Sequence, residues 1–444
     1  MPAGNVLIVY TLGAIALLLF LILYVRLHAF LALMLTSMAL GLTCGMAPLK
    51  VLKSMQAGFG EALGFIAVVV ALGAMIGRYL EHSGGGRALA DWLLDKFGPE
   101  RAIWAVLLSS FLVGLPIFFE VGFIILVPLA WSLTRESKRS LLYFGLPIAA
   151  ALTVTHAMVP PHPAPAAAAQ LLGADLGKAI LFGAALSIPM AIAGGIFYGP
   201  WIAKRLYIPV PPHAVEPPAV SSHKVPSVGL VVLLLVLPVL LIFASTIAGM
   251  VKLPGQAAFD FFGHPFTALT VTTLAAMYFL GARCGLDREG LATMATQSLL
   301  PIGSLLAIMG GGGAFKQVIV DSGVGPYAGK LLASSSVSPL LVAYIVAAGM
   351  RVAQGSATVA IITAAGIVAP LVKGIPGYSP EMILLALCCG GTVLSHVNDA
   401  GFWLVNQSFG MTVPQTLRSW TAMKVITSGV GIAIVLLAQL VLSW

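Results

Sequence analysis

Residues Val6 to Val25 form an apolar run without one charged side chain, ended by Arg26. About twenty such residues are what an α-helix needs to cross the hydrocarbon core of a bilayer. Comparable segments recur at about 27–46, 62–80, 102–117, 118–134, 140–157 and 178–203. After a polar, proline-bearing stretch they resume at about 227–249, 265–281, 299–320, 337–353, 355–372, 381–397 and 421–443. A soluble domain is about a quarter charged, whereas only 9% of these 444 residues are charged and 59% are hydrophobic. Lipid must therefore be the solvent for most of the chain, which is expected to be an all-α polytopic membrane protein. No basic residue precedes the first run and no small-residue cleavage site follows it, so it reads as a permanent helix rather than a signal peptide.

Seven segments on each side of a linker at 204–226 call for a search for repeats. His82-Ser83-Gly84-Gly85-Gly86 lies 239 positions before Asp321-Ser322-Gly323-Val324-Gly325, Gly114 lies 241 before Gly355, and Thr155-His156 lies 240 before Ser395-His396. The chain then divides into a first transmembrane repeat (1–203), a cytoplasmic linker (204–226) and a second repeat (227–444). Between Arg101 and Arg135 there is too little chain for two full spans. Stretches 102–134 and 337–372 are accordingly predicted to be re-entrant hairpins, with tips at 114–120, around Gly114-Leu115-Pro116 and Glu120, and at 351–358, around Arg351-Val352-Ala353-Gln354-Gly355-Ser356. Irregular backbone at such depth is tolerated only where protein or a wet cavity satisfies it, so the tips mark a candidate site.

The +8 net charge brings nucleic acid to mind, but no basic stripe or aromatic-basic motif supports that partner. Loop placement explains it better. With both termini outside, fifteen of the 23 basic residues, Arg78, Arg135, Lys138, Arg139, Lys204, Arg418 and Lys424 among them, fall on the cytoplasmic side. Lys50, Lys53, Lys178, Lys252, Lys330 and Lys373 fall outside, while Lys316 and Arg351 stay at membrane depth. Each repeat then crosses five times, an odd number, and the second is inverted relative to the first, as in many secondary transporters. The four cysteines have no metal-ligand spacing and read as buried hydrophobes. The glycine run 310–313 lacks the ending of a phosphate loop and reads as close helix packing. Segments 87–98 and 288–298 look amphipathic and are expected along the cytoplasmic surface.

Polar groups inside a membrane need a reason. Glu120 sits among phenylalanines, where desolvation penalises the ionised carboxylate, a property suited to a proton carrier; the structural alternative is pairing to a helix end or a base. Arg351 offers a carboxylate two parallel hydrogen bonds, beside Gln354, Gly355, Ser356 and Thr358, where a helix N-terminus adds donors; the alternative is an internal counter-ion for Glu120 or Asp399. A third constellation is the pair of broken segments. Residues 153–165 carry Thr155, His156, His162 and four prolines, which forbid a continuous helix and leave extended backbone. Residues 395–403 carry His396, Asn398 and Asp399. Zinc on His156 and His162 would need a third ligand, and none has suitable spacing, so no metal is expected. Lys316 and Asp321 read as an ion pair or a snorkelling side chain.

The stretches GAMIGRYLEHSGG (73–85), GLPIFFEVGF (114–123), VPPHPAP (159–165), GGGGAFKQVIVDSGVG (310–325), RVAQGSATVAIITAAG (351–366) and SHVNDAGFW (395–403) together resemble the gluconate permease (GntP) family over essentially the whole length. That resemblance implies a proton symporter for gluconate or a related sugar acid in a bacterial inner membrane, with no cofactor beyond the co-transported proton. Some similar proteins carry other small carboxylates, D-serine included. A remoter likeness to the ion-transporter superfamily implies paired hairpins in a mobile domain, a dimeric scaffold and elevator-type alternating access. Glu120 stands where the family often has aspartate. The expectation is that Arg351, Gln354, Gly355, Ser356, Thr358, Gly114, Pro116, Thr155, His162 and Asn398 bind substrate. Glu120 would carry the proton, with His156, His396 and Asp399 in reserve. Sodium-coupled carboxylate transport, a channel or receptor, and a membrane-embedded enzyme are the competing classes; the last lacks any nucleophile or metal constellation.

Overall fold

The computed structural model describes residues 4–212, 225–251, 255–324, 337–396 and 399–441, and every regular element among them is helical. In the first half these are α1 (Gly4–Leu23), α2 (Ala29–Thr43), α3 (Pro48–His82), α4 (Gly85–Phe97), α5 (Ala102–Val113), α6 (Phe119–Ser137), α7 (Leu142–Met158), α8 (Pro163–Leu172), α9 (Leu176–Ile192) and α10 (Gly199–Ala203). The second half contributes α11 (Val228–Val251), α12 (Gln256–Gly263), α13 (Pro265–Ala276), α14 (Arg288–Leu299), α15 (Gly303–Asp321), α16 (Pro339–Gln354), α17 (Ala357–Val372), α18 (Pro380–Thr392), α19 (Ala400–Phe409), α20 (Val413–Thr416) and α21 (Ala422–Val441). Single π-turns at Ala193–Tyr198 and Leu417–Thr421 join α9 to α10 and α20 to α21. Most of the expected linker lies outside the described residues.

Among the described residues, five helical stretches are long and apolar enough to cross a membrane: Pro48–His82, Leu142–Leu172, Leu176–Ala203, Pro265–Cys284 and Val413–Val441. Their surroundings differ. The apolar core of Leu142–Leu172 is 89% buried by protein, against 28% for Val413–Val441, so α7 is an inner helix and α21 an outer one. α5, α6 and α9 all pack along α7, and α16 packs against α17 and α18. Two arrangements of a helix pair, an inner helix, a break and a short helix thus occur in the chain, as α5–α8 and α16–α19.

Small residues set the closest approach. α3 packs along α15, and a Cβ added to Gly58 would stand 2.3 Å from the Gly313 carbonyl oxygen, with the reciprocal distance 2.4 Å. The glycine run therefore has the packing role expected of it. Lys316 on α15 reaches Glu61 on α3 at 3.9 Å, and Gln317 donates to Asp321 at 3.0 Å. All four cysteines are free and buried.

The proline-rich break is shorter than expected. Only Val159–His162 departs from helix, with a cis bond between Pro160 and Pro161. α8 then begins at Pro163, with Pro165 still in its first turn. The first residues of a helix have no intrahelical partner for their N–H groups, so proline costs nothing there.

Candidate functional site

Three helices begin at one place because of local chemistry. α16 stops at Gly355, whose φ of 81° lies in the left-handed region that favours glycine. Ser356 next caps α17 by accepting from the Val359 N–H at 3.3 Å. α5 ends at Gly114, and Pro116 follows before α6 starts at Phe119 with no side-chain cap. α19 opens behind Asp399, whose carboxylate accepts from the Gly401 N–H at 3.0 Å.

The three N-termini line a cavity of about 260 Å3. Phe119 and Glu120 come from α6, Ser356, Ala357 and Thr358 from α17, and Asp399, Ala400 and Gly401 from α19. Thr153 and His156 of α7, Arg351 and Gly355, and Trp420 and Lys424 complete the wall. Each N-terminus concentrates partial positive charge and unpaired N–H donors, so the cavity attracts an anion. Its size falls just below the roughly 300–1,000 Å3 typical of drug-sized ligand sites, which suits a small polar molecule.

Arg351 is 2% exposed. Its guanidinium donates to the Gly355 carbonyl and pairs with the Asp399 carboxylate, while its buried Nε has no hydrogen-bond partner. Asp399 is held in turn by Ser395, whose hydroxyl accepts from the Trp420 indole N–H at 2.7 Å. Of the two readings open for Arg351, the internal counter-ion is therefore present, and its partner is Asp399 rather than Glu120. Arg351 still borders the cavity.

Glu120 opens onto the cavity. Successive helical residues point about 100° apart, so Phe119 turns inward instead. It meets Phe123 at 5.6 Å and Trp420 at 5.3 Å, and these rings anchor the first turn that presents Glu120. His156 faces the cavity with Nε2 3.4 Å from the Thr358 hydroxyl and Nδ1 buried without a partner.

Several expected contacts lie elsewhere. Thr155 is fully buried and bonds back to the Ala151 and Leu152 carbonyls at 2.9 and 3.1 Å. His162 is spent on the Gly114 carbonyl at 2.6 Å. Gly114 is a close-packing point, since an added Cβ would sit 2.4 Å from the Thr155 Oγ1. Pro116 borders a separate apolar pocket with Pro160 and Pro161. His396 meets the Val352 carbonyl at 3.1 Å and does not line the cavity. Thr155, His162 and His396 thus spend their polar atoms on backbone carbonyls, as polar groups within a fold find partners. Asn398 and the Gln354 side chain lie outside the described residues.

The charge distribution places Lys424 on the cytoplasmic side; the structure instead buries it, 1% exposed, in the first turn of α21. Together with Trp420 it completes a wall that the motifs alone did not reveal. The available signal was weak: Lys424 is the one charge in the run from Trp420 to Val441.

Residues 6–441 match the GntP family permease. The gluconate permease of Pseudomonas aeruginosa is 44% identical over 425 residues, covering 94% of each chain. The high-affinity gluconate transporter of Escherichia coli is 40% identical, covering 98% of this chain and all of that one. The Gnt-II system L-idonate transporter of Escherichia coli is 38% identical across 97% of this chain and 98% of its own. Among solved structures, the Alcanivorax borkumensis YdaH transporter superposes with a TM-score of 0.63 at 15% identity, covering 89% of this chain and 90% of that one. Neisseria gonorrhoeae MtrF, described with a class of antimetabolite efflux pumps, gives 0.63 at 16%, covering 87% and 83%. At such identities the likeness speaks to the fold alone.

Proposed function

Because the chain belongs to the GntP permease family, and is thus a multi-pass membrane transporter rather than an enzyme, we propose that it imports gluconate or a closely related sugar acid together with protons. The observation carrying this reading is the polar cavity itself. In a chain of which only 9% is charged, three helix N-termini, a buried Arg351–Asp399 pair and the Glu120 carboxylate meet around one small chamber. Relatives named for gluconate and for L-idonate point to the same class of polyhydroxy acid.

In this reading the substrate occupies the chamber into which the helix N-termini point, their positive ends favouring its negative charge, and Ser356 and Thr358 offer hydroxyls to the sugar chain. Glu120 accepts a proton from the outside and releases it inside, with His156 as the neighbouring carrier. An anion moving with at least one proton is not opposed by the membrane potential.

Alternating access is part of the same proposal. Helix lengths favour re-entrant hairpins in part: at about 1.5 Å per residue, α5 reaches roughly 18 Å, and α16 and α17 roughly 24 Å, short of a roughly 30 Å core, while α6 reaches roughly 28 Å. The pairs α5–α6 and α16–α17 would move against the surrounding helices in an inverted-repeat, elevator-type cycle. The assembly would be a homodimer in a bacterial inner membrane with both termini periplasmic.

Uptake of labelled gluconate into proteoliposomes under an inward pH gradient tests the proposal. Concentrative uptake, abolished by a protonophore and by Glu120→Gln while gluconate binding persists, is the expected result. Uptake that requires sodium and ignores the pH gradient would overturn proton coupling in favour of a sodium-driven carboxylate transporter.

A further inference from the structure

Two cations border the cavity, and their situations differ. Arg351 is engaged by the Asp399 carboxylate and the Gly355 carbonyl. Lys424 is as deeply buried, yet no carboxylate of the described residues lies within ion-pair distance of it. Its Nζ donates to the Thr153 hydroxyl at 2.7 Å and stands 5.6 Å from the centre of the Trp420 ring. An ammonium carries three donors, and burying one with a single neutral acceptor is costly unless an anion completes it or the amine gives up its proton; a bound anion holds the charged form. Thr153, Trp420 and Lys424 all line the chamber, so the open donors have one place to find that anion.

We infer that Lys424, oriented by Thr153, is the residue that binds the substrate carboxylate and makes the site select acids over neutral polyols. This rests on the sugar-acid reading above and sharpens it. Arg351 is then a positioning residue that fixes Gly355 and Asp399, and with them the starts of α17 and α19. The charges also balance. With Arg351 and Asp399 neutralising one another, Lys424 and a bound carboxylate form a second neutral pair. An ionised Glu120 would leave one negative charge in excess, and one proton on Glu120 removes it.

The test compares binding of gluconate and of gluconamide, which keeps the hydroxyls and replaces the carboxylate by a neutral amide, to purified protein. Wild type should prefer the acid. Lys424→Met, similar in length and uncharged, should weaken gluconate by about 10- to 100-fold, the size of a hydrogen bond to a charged partner. Gluconamide binding should be unchanged, so the preference disappears, and Lys424→Arg should restore part of it. Thr153→Val should move the ratio in the same direction by a smaller factor, which keeps the question answerable if Lys424→Met does not fold. Unchanged gluconate affinity in Lys424→Met, or equal loss of both ligands from a folded variant, would overturn the assignment. Gluconate binding by the wild type is read first and bears on the substrate; should it be absent, the ratio is read with glycerate and glyceramide, so the two ideas fail separately.

Discussion

At the residue scale the decisive object is the chain of polar contacts from Trp420 through Ser395 and Asp399 to Arg351 and Gly355. Removing one partner of a buried ion pair strands the other charge at a cost of about 3–5 kcal/mol, whereas replacing both can be nearly neutral. Arg351→Met and Asp399→Asn should each lower the melting temperature in detergent sharply, and the double variant should recover much of the loss. Additive losses would mean that the two side chains do not act as a pair. Gly114 gives a second prediction. An alanine there would bring Cβ within 2.4 Å of the Thr155 Oγ1 and 2.9 Å of the Ser110 carbonyl oxygen, and overpacking of this kind costs about 1–3 kcal/mol. Thr155→Ala in the same chain removes the nearer clash and should restore part of the stability, as thermal unfolding can show.

At the scale of elements, the α3–α15 contact depends on the absence of side chains. Gly58→Ala should destabilise by about 1–3 kcal/mol, because the new Cβ meets the Gly313 backbone at 2.3 Å. Gly60→Ala, two residues along the same helix with nothing within 4 Å of the added Cβ, should be neutral or stabilise by up to about 1 kcal/mol through helix propensity. Equal effects at both sites would show that this close approach is not maintained in the bilayer. The hairpins can be tested in the same spirit. Glu100, before α5, and Glu136, near the end of α6, are both exposed. Single cysteines at these positions, in a background lacking Cys44, Cys284, Cys388 and Cys389, should be labelled from the same side of the membrane. Labelling from opposite sides would make α5 and α6 two separate spans.

At the scale of the whole molecule, burial divides the helices by role. α7, α17 and α18 are enclosed by protein along nearly their whole lengths, whereas α1, α12 and α21 present side chains such as Leu12, Phe261 and Leu437 outward. The site is built on the N-termini of α6, α17 and α19, on the inner helix α7, and on Lys424 in the first turn of an outer helix, α21. Orientation is a property of the whole chain. Cysteines replacing Lys138, between α6 and α7, and Ala174, between α8 and α9, should react with impermeant reagents from the inside and the outside respectively. The opposite pattern would reverse the transporter and the direction assigned to proton flow.

The amino-acid sequence alone settles the solvent, the helical class and the places where helices stop. Runs of apolar residues, Gly355 after Gln354 and the prolines at 160–165 have local causes and act the same way in any fold. It also singled out Glu120, Arg351, His156, Ser356, Thr358 and Asp399, because a charge or hydroxyl in an apolar run is conspicuous wherever it ends up. Partnership was not local. Whether Arg351 meets Glu120 or Asp399 depends on how hairpin tips and breaks converge across tens to hundreds of residues. His162 looks like a ligand in the chain, and only packing shows that the Gly114 carbonyl already engages it, whereas Thr155 bonds back within its own helix. Lys424 looked like a loop charge for the same reason. A helix end and a buried first turn have the same sequence until the tertiary structure places α7 and its Thr153 hydroxyl against them.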